Sequence, residues 1–238
     1  MPDFRPITPH IWRLNLEWDF KIPFVPPIPV AVWLVKDGDE WTLIDAGTPL
    51  HESAIINAVA HFLKTAAPAR VALTHAHYDH GGAMSAIVKR WNIPIWAHTA
   101  EADFVTGAQE YRNIVSGSLI FNLAKSMLGQ RVWRLPVARA LQEGETFGGL
   151  EVIHVPGHTP GMAAFHHRAD RAIICGDTFM NMGGRLTEPF SMATPEPEEA
   201  RRSIKKLAAL DFDVLLPSHD TSQHGVPAET ARQLAARL

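Results

Sequence analysis

The segment THAHYDHGG, residues 74–82, constrains this chain more than any other. It sets His75, His77, Asp79 and His80 within six positions and then turns on Gly81 and Gly82. Imidazoles and a carboxylate at this density suit a metal site, a catalytic acid–base cluster or a polar loop. VALTHAH reads as a strand end, where side chains alternate sides, so His75 and His77 point the same way. Asp79 and His80 follow in the turn toward a helix that starts at Gly81-Gly82. One ion cannot comfortably use all four groups and keep an open position, whereas two ions a few ångströms apart can. Chance alone produces HxHxDH in on the order of one chain in several hundred, even at this histidine usage.

Later segments offer matching ligand types. PGHTPG (156–161) holds His158 in a glycine-proline turn, IICGDT (173–178) ends a buried-type strand on Asp177, and LLPSHD (215–220) ends another on His219. Each presents one ligand at a strand end, where loops converge. One division gives His75, His77 and His158 to one ion and Asp79, His80 and His219 to a second, with Asp177 bridging. The other histidines (His10, His51, His61, His98, His154, His166, His167 and His224) carry no such motif and are expected to be structural or surface residues. Cys175 lies on an apolar strand and is expected to pack rather than ligate.

The 238 residues suffice for a substantial core, and 46% hydrophobic with 20% charged residues is ordinary for a globular protein. A net charge of −3 leaves no electrostatic footprint for nucleic acid. The basic cluster Arg201, Arg202, Lys205, Lys206 reads as a solvated helix face. No segment approaches ~20 uninterrupted apolar residues, so no membrane helix is expected. MPDFRPITPHIWRL lacks a secretory layout and Cys175 is the single cysteine, which together point to a cytoplasmic protein.

Strand-like and helix-like segments alternate along the chain. PHIWRLNLEW reads as a strand, and 31–47 as a hairpin turning at Asp37-Gly38. Helical spacing covers 51–65, GGAMSAIVKRW, much of 99–130, 195–210 and the C-terminal PAETARQLAARL. Further strands are expected at ARVALTH, IPIWAH, VWRLP, LEVIHVP, MAAFHH, RAIICGD and DVLLPSH. Without repeats or a long linker, one α/β domain over 1–238 is the simplest organisation.

HxHxDHGG, GHTPG, GDT and a late strand-end histidine, in this order over about 30–225, resemble the metallo-β-lactamase superfamily. The resemblance implies an αββα sandwich of two mixed β-sheets flanked by helices, with two divalent metal ions at the rim, zinc foremost and iron or manganese as alternatives. It also implies that Asp45, in LIDAG, supports the site without binding metal. Two ions sharing a water bring its pKa toward neutrality and make hydroxide available to attack a carbonyl. Asp79 would hold one ion and relay a proton to the leaving group. The implied activity is hydrolysis of a small ester, lactone or thioester, with an iron-dependent oxidoreductase on the same ligands as the rival.

Departures within the superfamily narrow this. The β-lactam-cleaving branch commonly lacks the His of the Asp-His pair and has Cys or His where Asp177 stands; here both His80 and Asp177 are present. Hydroxyacylglutathione thioesterases carry a helical C-terminal domain, whereas 19 residues follow His219 here. Di-iron oxidoreductase branches usually replace a histidine of the first pair by Glu, whereas His77 stands here. The acyl-homoserine lactonase branch matches in size, but its tyrosine after the bridging Asp is replaced by Phe179 and Met180. Tyr78, inside the motif, is a candidate substitute, and Tyr111 is the only other tyrosine. WDFKIPFVPPIP (18–29), with Trp18, Phe20 and Phe24, reads as an apolar pocket wall, a packed connector or a dimer contact. Residues 116–129, around Leu119, Ile120, Phe121, Leu123, Met127 and Leu128, suit a lid, a dimer face or, foremost, core. A small-molecule substrate and a homodimer are the partners this reading admits.

Overall fold

The computed structural model of the chain describes residues 2–19, 26–109 and 134–238. Phe20, Phe24, Tyr111 and the 116–129 segment lie outside these residues. Among the described residues one sheet runs, in spatial order, β1 (Arg5–Pro6), β2 (Ile11–Trp18), β3 (Ile28–Asp37), β4 (Glu40–Ile44), β5 (Arg70–Ala72), β6 (Ile95–His98) and β7 (Val137–Leu141). Its first half is antiparallel, and β4 to β7 are parallel. The facing sheet contains β8 (Thr146–Phe147), β9 (Leu150–His154), β10 (Ala163–His167), β11 (Ala172–Gly176), β14 (Val214–Pro217) and β15 (Val226–Pro227). A small hairpin, β12 (Met180–Met182) and β13 (Arg185–Thr187), forms its own two-stranded sheet and is bridged through Asn181 to Asp220, just after β14.

Side-chain alternation explains the layering. On β3, Ala31, Trp33 and Val35 face the second sheet, packing with Ile44, Phe165, Ile174 and Leu216. Val32 and Leu34 point the other way, toward Ile55 and Val59 of α1 (Glu52–Leu63) and Met84 and Ile87 of α3 (Met84–Trp91). Both faces of this strand are covered, hence its unbroken apolar run. The second sheet repeats the plan: Ile173 and Cys175 meet Ile204 and Leu207 of α5 (Pro197–Ala208) and Ala231 of α6 (Ala228–Ala235). The order helix, sheet, sheet, helix is the expected αββα sandwich, and Cys175 is a fully buried packing residue in it.

Several boundaries differ from the sequence reading. Asp37 pairs with Glu40, so the hairpin turn is Gly38-Asp39, one residue later than expected. Gly38 takes φ of 56° at the first turn position, which a side chain would disfavour. Of the strand read at VWRLP, Val132 and Trp133 lie outside the described residues and 134–136 are not in a strand. β7 begins at Val137, after Pro136, whose ring removes a ladder donor. Strand β5 stops at Ala72, so THAH is loop rather than strand end. The helix expected from Gly81 is two pieces, α2 (Tyr78–Gly81) and α3. The short strands β8, β12, β13 and β15 carry too few residues for a period-2 signal.

Candidate metal centre

Strands β4 and β5 are parallel, as are β11 and β14, and β9 runs the same way as β11 because both oppose β10. Within each sheet these C-terminal ends share one edge, and the close approach of the residues that follow them brings the two edges together at one rim. From there Asp45 follows β4, His75 to His80 follow β5, His158 follows β9, Asp177 follows β11 and His219 follows β14. Every sequence-predicted ligand is brought together. His75, His77 and His158 present atoms within 4.8 Å of one another, as do Asp79, His80 and His219, and as do His75, His80 and Asp177.

His75 and His77 do converge, with ring centroids 4.5 Å apart, but strand alternation is not the cause. Beyond Ala72 the backbone is held by side chains instead. Thr74 donates its N–H to Asp45 Oδ1 at 2.8 Å and its hydroxyl to Oδ2 at 2.8 Å. The same carboxylate oxygen lies 2.9 Å from His80 Nδ1. Asp45 itself is fully buried with φ of 60°, a conformation an Asp tolerates better than most side chains. Gly82 serves close approach: a Cβ there would lie 2.5 Å from the carbonyl oxygen of Gly47.

Outer partners fix the other rings. His219 Nδ1 lies 2.6 Å from the carbonyl oxygen of Pro29, and His158 Nδ1 lies 3.2 Å from Thr194 Oγ1. With the Nδ1 atoms of His80, His158 and His219 engaged outward, their Nε2 atoms face the rim. There, His158 Nε2 and His77 Nδ1 are 3.0 Å apart. Two nitrogens bound to one tetrahedral zinc at ~2.05 Å would stand about 3.3 Å apart, so this spacing suits a shared cation. His75 Nε2 is buried and has no hydrogen-bond partner among the described residues. A buried orphan nitrogen beside two others fits a metal ligand, because desolvation otherwise goes uncompensated. Asp177 sits between the halves: Oδ1 is 3.2 Å from His80 Nε2, and Oδ2 is 3.4 Å from His158 Nε2 and 3.2 Å from His219 Nε2.

The electrostatics divide the site. Burial, reinforced by neighbouring imidazoles, pushes His75 well below the ordinary value, His77 to about 3 and His158 to about 4. Burial also opposes the charge of His80 and His219, but Asp177 and Asp79 outweigh it. His80 ends well above its usual value and His219 at about 10. Burial opposes ionisation of Asp79 and Asp177 too, yet the adjacent imidazoles hold Asp79 at about 2 and Asp177 well below the carboxylate range.

Sequence reasoning missed several supports. Asp220, next to His219, accepts from Arg13 Nη1 at 2.8 Å, Asn181 Nδ2 at 2.7 Å and the N–H of Gly225 at 3.0 Å. Arg13 and Asp220 are both fully buried, so this pair anchors the His219 loop to β2. Thr194 and Glu101 likewise carry no motif that would mark them. Tyr78 is half-buried at the start of α2, its ring 5.7 Å from Trp18. A separate group, His10, His167 and Asp170, could also surround a cation. Its carboxylate is already occupied by Thr8 and by the N–H and Nδ1 of His10, the latter at 2.7 Å, so it reads as a latch between loops.

Comparison with known proteins places the chain in a family. The profile of the metallo-beta-lactamase superfamily matches residues 25–219. YybB of Bacillus subtilis (strain 168), a probable metallo-hydrolase, is 29% identical over 79% of this chain and 77% of its own length. Hydroxyacylglutathione hydrolase of Dechloromonas aromatica (strain RCB) is 28% identical over 82% of this chain and 60% of its own. The crystal structure of TTHA1623 in a di-iron-bound form gives a TM-score of 0.69 at 26% identity, covering 90% of this chain and 98% of that one.

Proposed function

The chain belongs to the metallo-beta-lactamase superfamily, and on that premise we propose that it is a two-metal hydrolase of small, apolar carbonyl compounds. The carrying observation is the convergence of His75, His77, Asp79, His80, His158, Asp177 and His219 on one rim. His75, His77 and His158 would hold one divalent ion and Asp79, His80 and His219 the other, with Asp177 between them. Such a pair supplies an acidified water and a Lewis acid for a carbonyl oxygen. Zinc suits this mixed imidazole and carboxylate set, and iron or manganese are accepted by the same ligands.

The chain's own residues then divide the work. Asp79 is the more open of the two carboxylates, its side chain 14% exposed against 4% for Asp177. It is therefore the group placed to pass a proton to a departing alcohol or thiol. Trp18 and Tyr78 form an aromatic edge beside it, which supports an apolar acyl group over a charged one. Hydroxyacylglutathione hydrolase among the relatives supports a thioester, and the presence of both His80 and Asp177 weighs against β-lactams. No described helix is long and apolar enough to cross a membrane. A cytoplasmic setting is supported by the single, buried Cys175.

A screen of metal-reconstituted protein over lactones, thioesters, aryl esters, phosphodiesters and β-lactams tests the reading. Turnover of a carbonyl ester, thioester or lactone is expected; turnover confined to phosphodiesters or β-lactams would contradict it. The di-iron neighbour favours one second reading, an iron oxidoreductase. Protein purified without added metal that carries iron, absorbs visible light and consumes oxygen would replace the hydrolase with that reading.

A further inference from the structure

Glu101 ends the short turn Thr99–Glu101 that follows β6, and it is fully buried. A carboxylate in that position is costly unless donors compensate it. The backbone N–H of Ala76 donates to Oε1 at 2.7 Å. On the other oxygen, Thr159 Oγ1 donates to Oε2 at 3.0 Å and the N–H of Gly161 at 3.1 Å. Ala76 separates His75 from His77, and Thr159 is the neighbour of His158. One carboxylate thus fastens the two loops that carry this half's nitrogen ligands, although those loops lie 81 residues apart for the pair His77 and His158.

The packing leaves the clamp little slack. A Cβ on Gly161 would lie 2.3 Å from the backbone nitrogen of Glu101, so the His158 turn is seated directly on the Glu101 backbone. The 3.0 Å spacing of His77 Nδ1 and His158 Nε2 is set where these two loops meet. Hydrogen bonds to a charged acceptor are the stronger kind, and here they act on both loops at once.

We propose that Glu101 is a positioning residue that sets the spacing of His75, His77 and His158, and thereby the affinity of that half for its ion. It is not one of the groups gathered to hold an ion. The proposal rests on the two-metal reading above. Asp45 acts on His80 of the other half directly, and it also holds Thr74, beside His75. Glu101 instead acts through the backbone of one loop and through a hydroxyl and the backbone of the other.

The chemistry of the clamp selects the variant. In Glu101→Gln the shape is kept, but the amide offers one acceptor atom where the carboxylate offers two. Either Ala76 N–H or the Thr159 and Gly161 donors must then face an NH2 group, and one loop is released. Partners of metal ligands typically contribute 10- to 100-fold in metal affinity.

The test uses metal-stripped, full-length protein titrated with zinc against a chromophoric chelator. Wild type is expected to bind two equivalents. Glu101→Gln is expected to bind one equivalent at wild-type affinity and the other about 10- to 100-fold more weakly. A purely structural role would weaken both equivalents together. Two wild-type affinities in the variant would overturn the proposal and leave the two-metal reading standing. Fewer than two equivalents in wild type would overturn that reading and the proposal with it. If Glu101→Gln fails to fold, Thr159→Val removes one donor only; a drop of about two- to tenfold in one equivalent is expected, and no change overturns the proposal.

Discussion

The half-buried His77 and the buried His158 on one side of the rim, and the buried His80 and His219 on the other, are imidazoles that differ in charge. Burial and mutual repulsion hold the first pair at about 3 and about 4. The second pair faces Asp79 and Asp177, which keep His219 protonated up to about 10. The difference lies in the carboxylates rather than in solvent access. One half is a set of neutral imidazoles placed to receive an ion. The other is a set of ion pairs in which a metal would take the place of protons.

The largest effect should come from removing the group the halves share. Asp177 lies within 3.4 Å of His80, His158 and His219, so Asp177→Ala should weaken both ions. Turnover should fall by at least about a hundredfold, ~2.7 kcal/mol of barrier; loss of a single equivalent of metal would show that it does not bridge. Asp79→Ala should act on one half only, lowering turnover more than tenfold, ~1.4 kcal/mol. Survival of activity within tenfold would remove its proton-relay role. Asp45→Asn leaves a poorer partner for His80 and for the Thr74 that neighbours His75, and should weaken the Asp79-side ion by about 10- to 100-fold and the other ion by less. Equal weakening of both equivalents would break the comparison.

The comparison also predicts how the stability of the metal-free protein varies with pH. His77 and His158 stay neutral when folded, so as pH falls below about 6.5 the unfolded chain gains protons that the folded one refuses. Stability should therefore decline on the acid side, down to about 3 to 4. His219 is raised, so its contribution is complete below about 6.5 and is lost as pH rises toward about 10. Denaturant titrations should place the maximum near neutrality. Stability that keeps rising to pH 9 would contradict the charged half.

The residues that gather on the rim were legible in the sequence because each sits in a short punctuated motif that follows a strand. The layered fold was legible for a related reason, since runs such as AVWLV and AIICG need cover on both faces. Local rules failed where tertiary contacts decide. THAH leaves the strand because Asp45, 29 residues away, takes the N–H of Thr74. Glu101 and Ala76 are 25 residues apart, and Arg13 and Asp220 are 207 apart, so no spacing could announce either pair. Ligands recur as patterns, whereas the groups that aim them are joined only by the fold.

The most direct measurement is calorimetric titration of zinc into metal-stripped protein at pH 7, repeated in buffers of different ionisation enthalpy to count released protons. Two equivalents are predicted, with unequal release. The ion entering among Asp79, His80 and His219 should displace about two more protons than the ion entering among His75, His77 and His158. A single equivalent, or two with equal proton release, would contradict a two-metal site built from unlike halves.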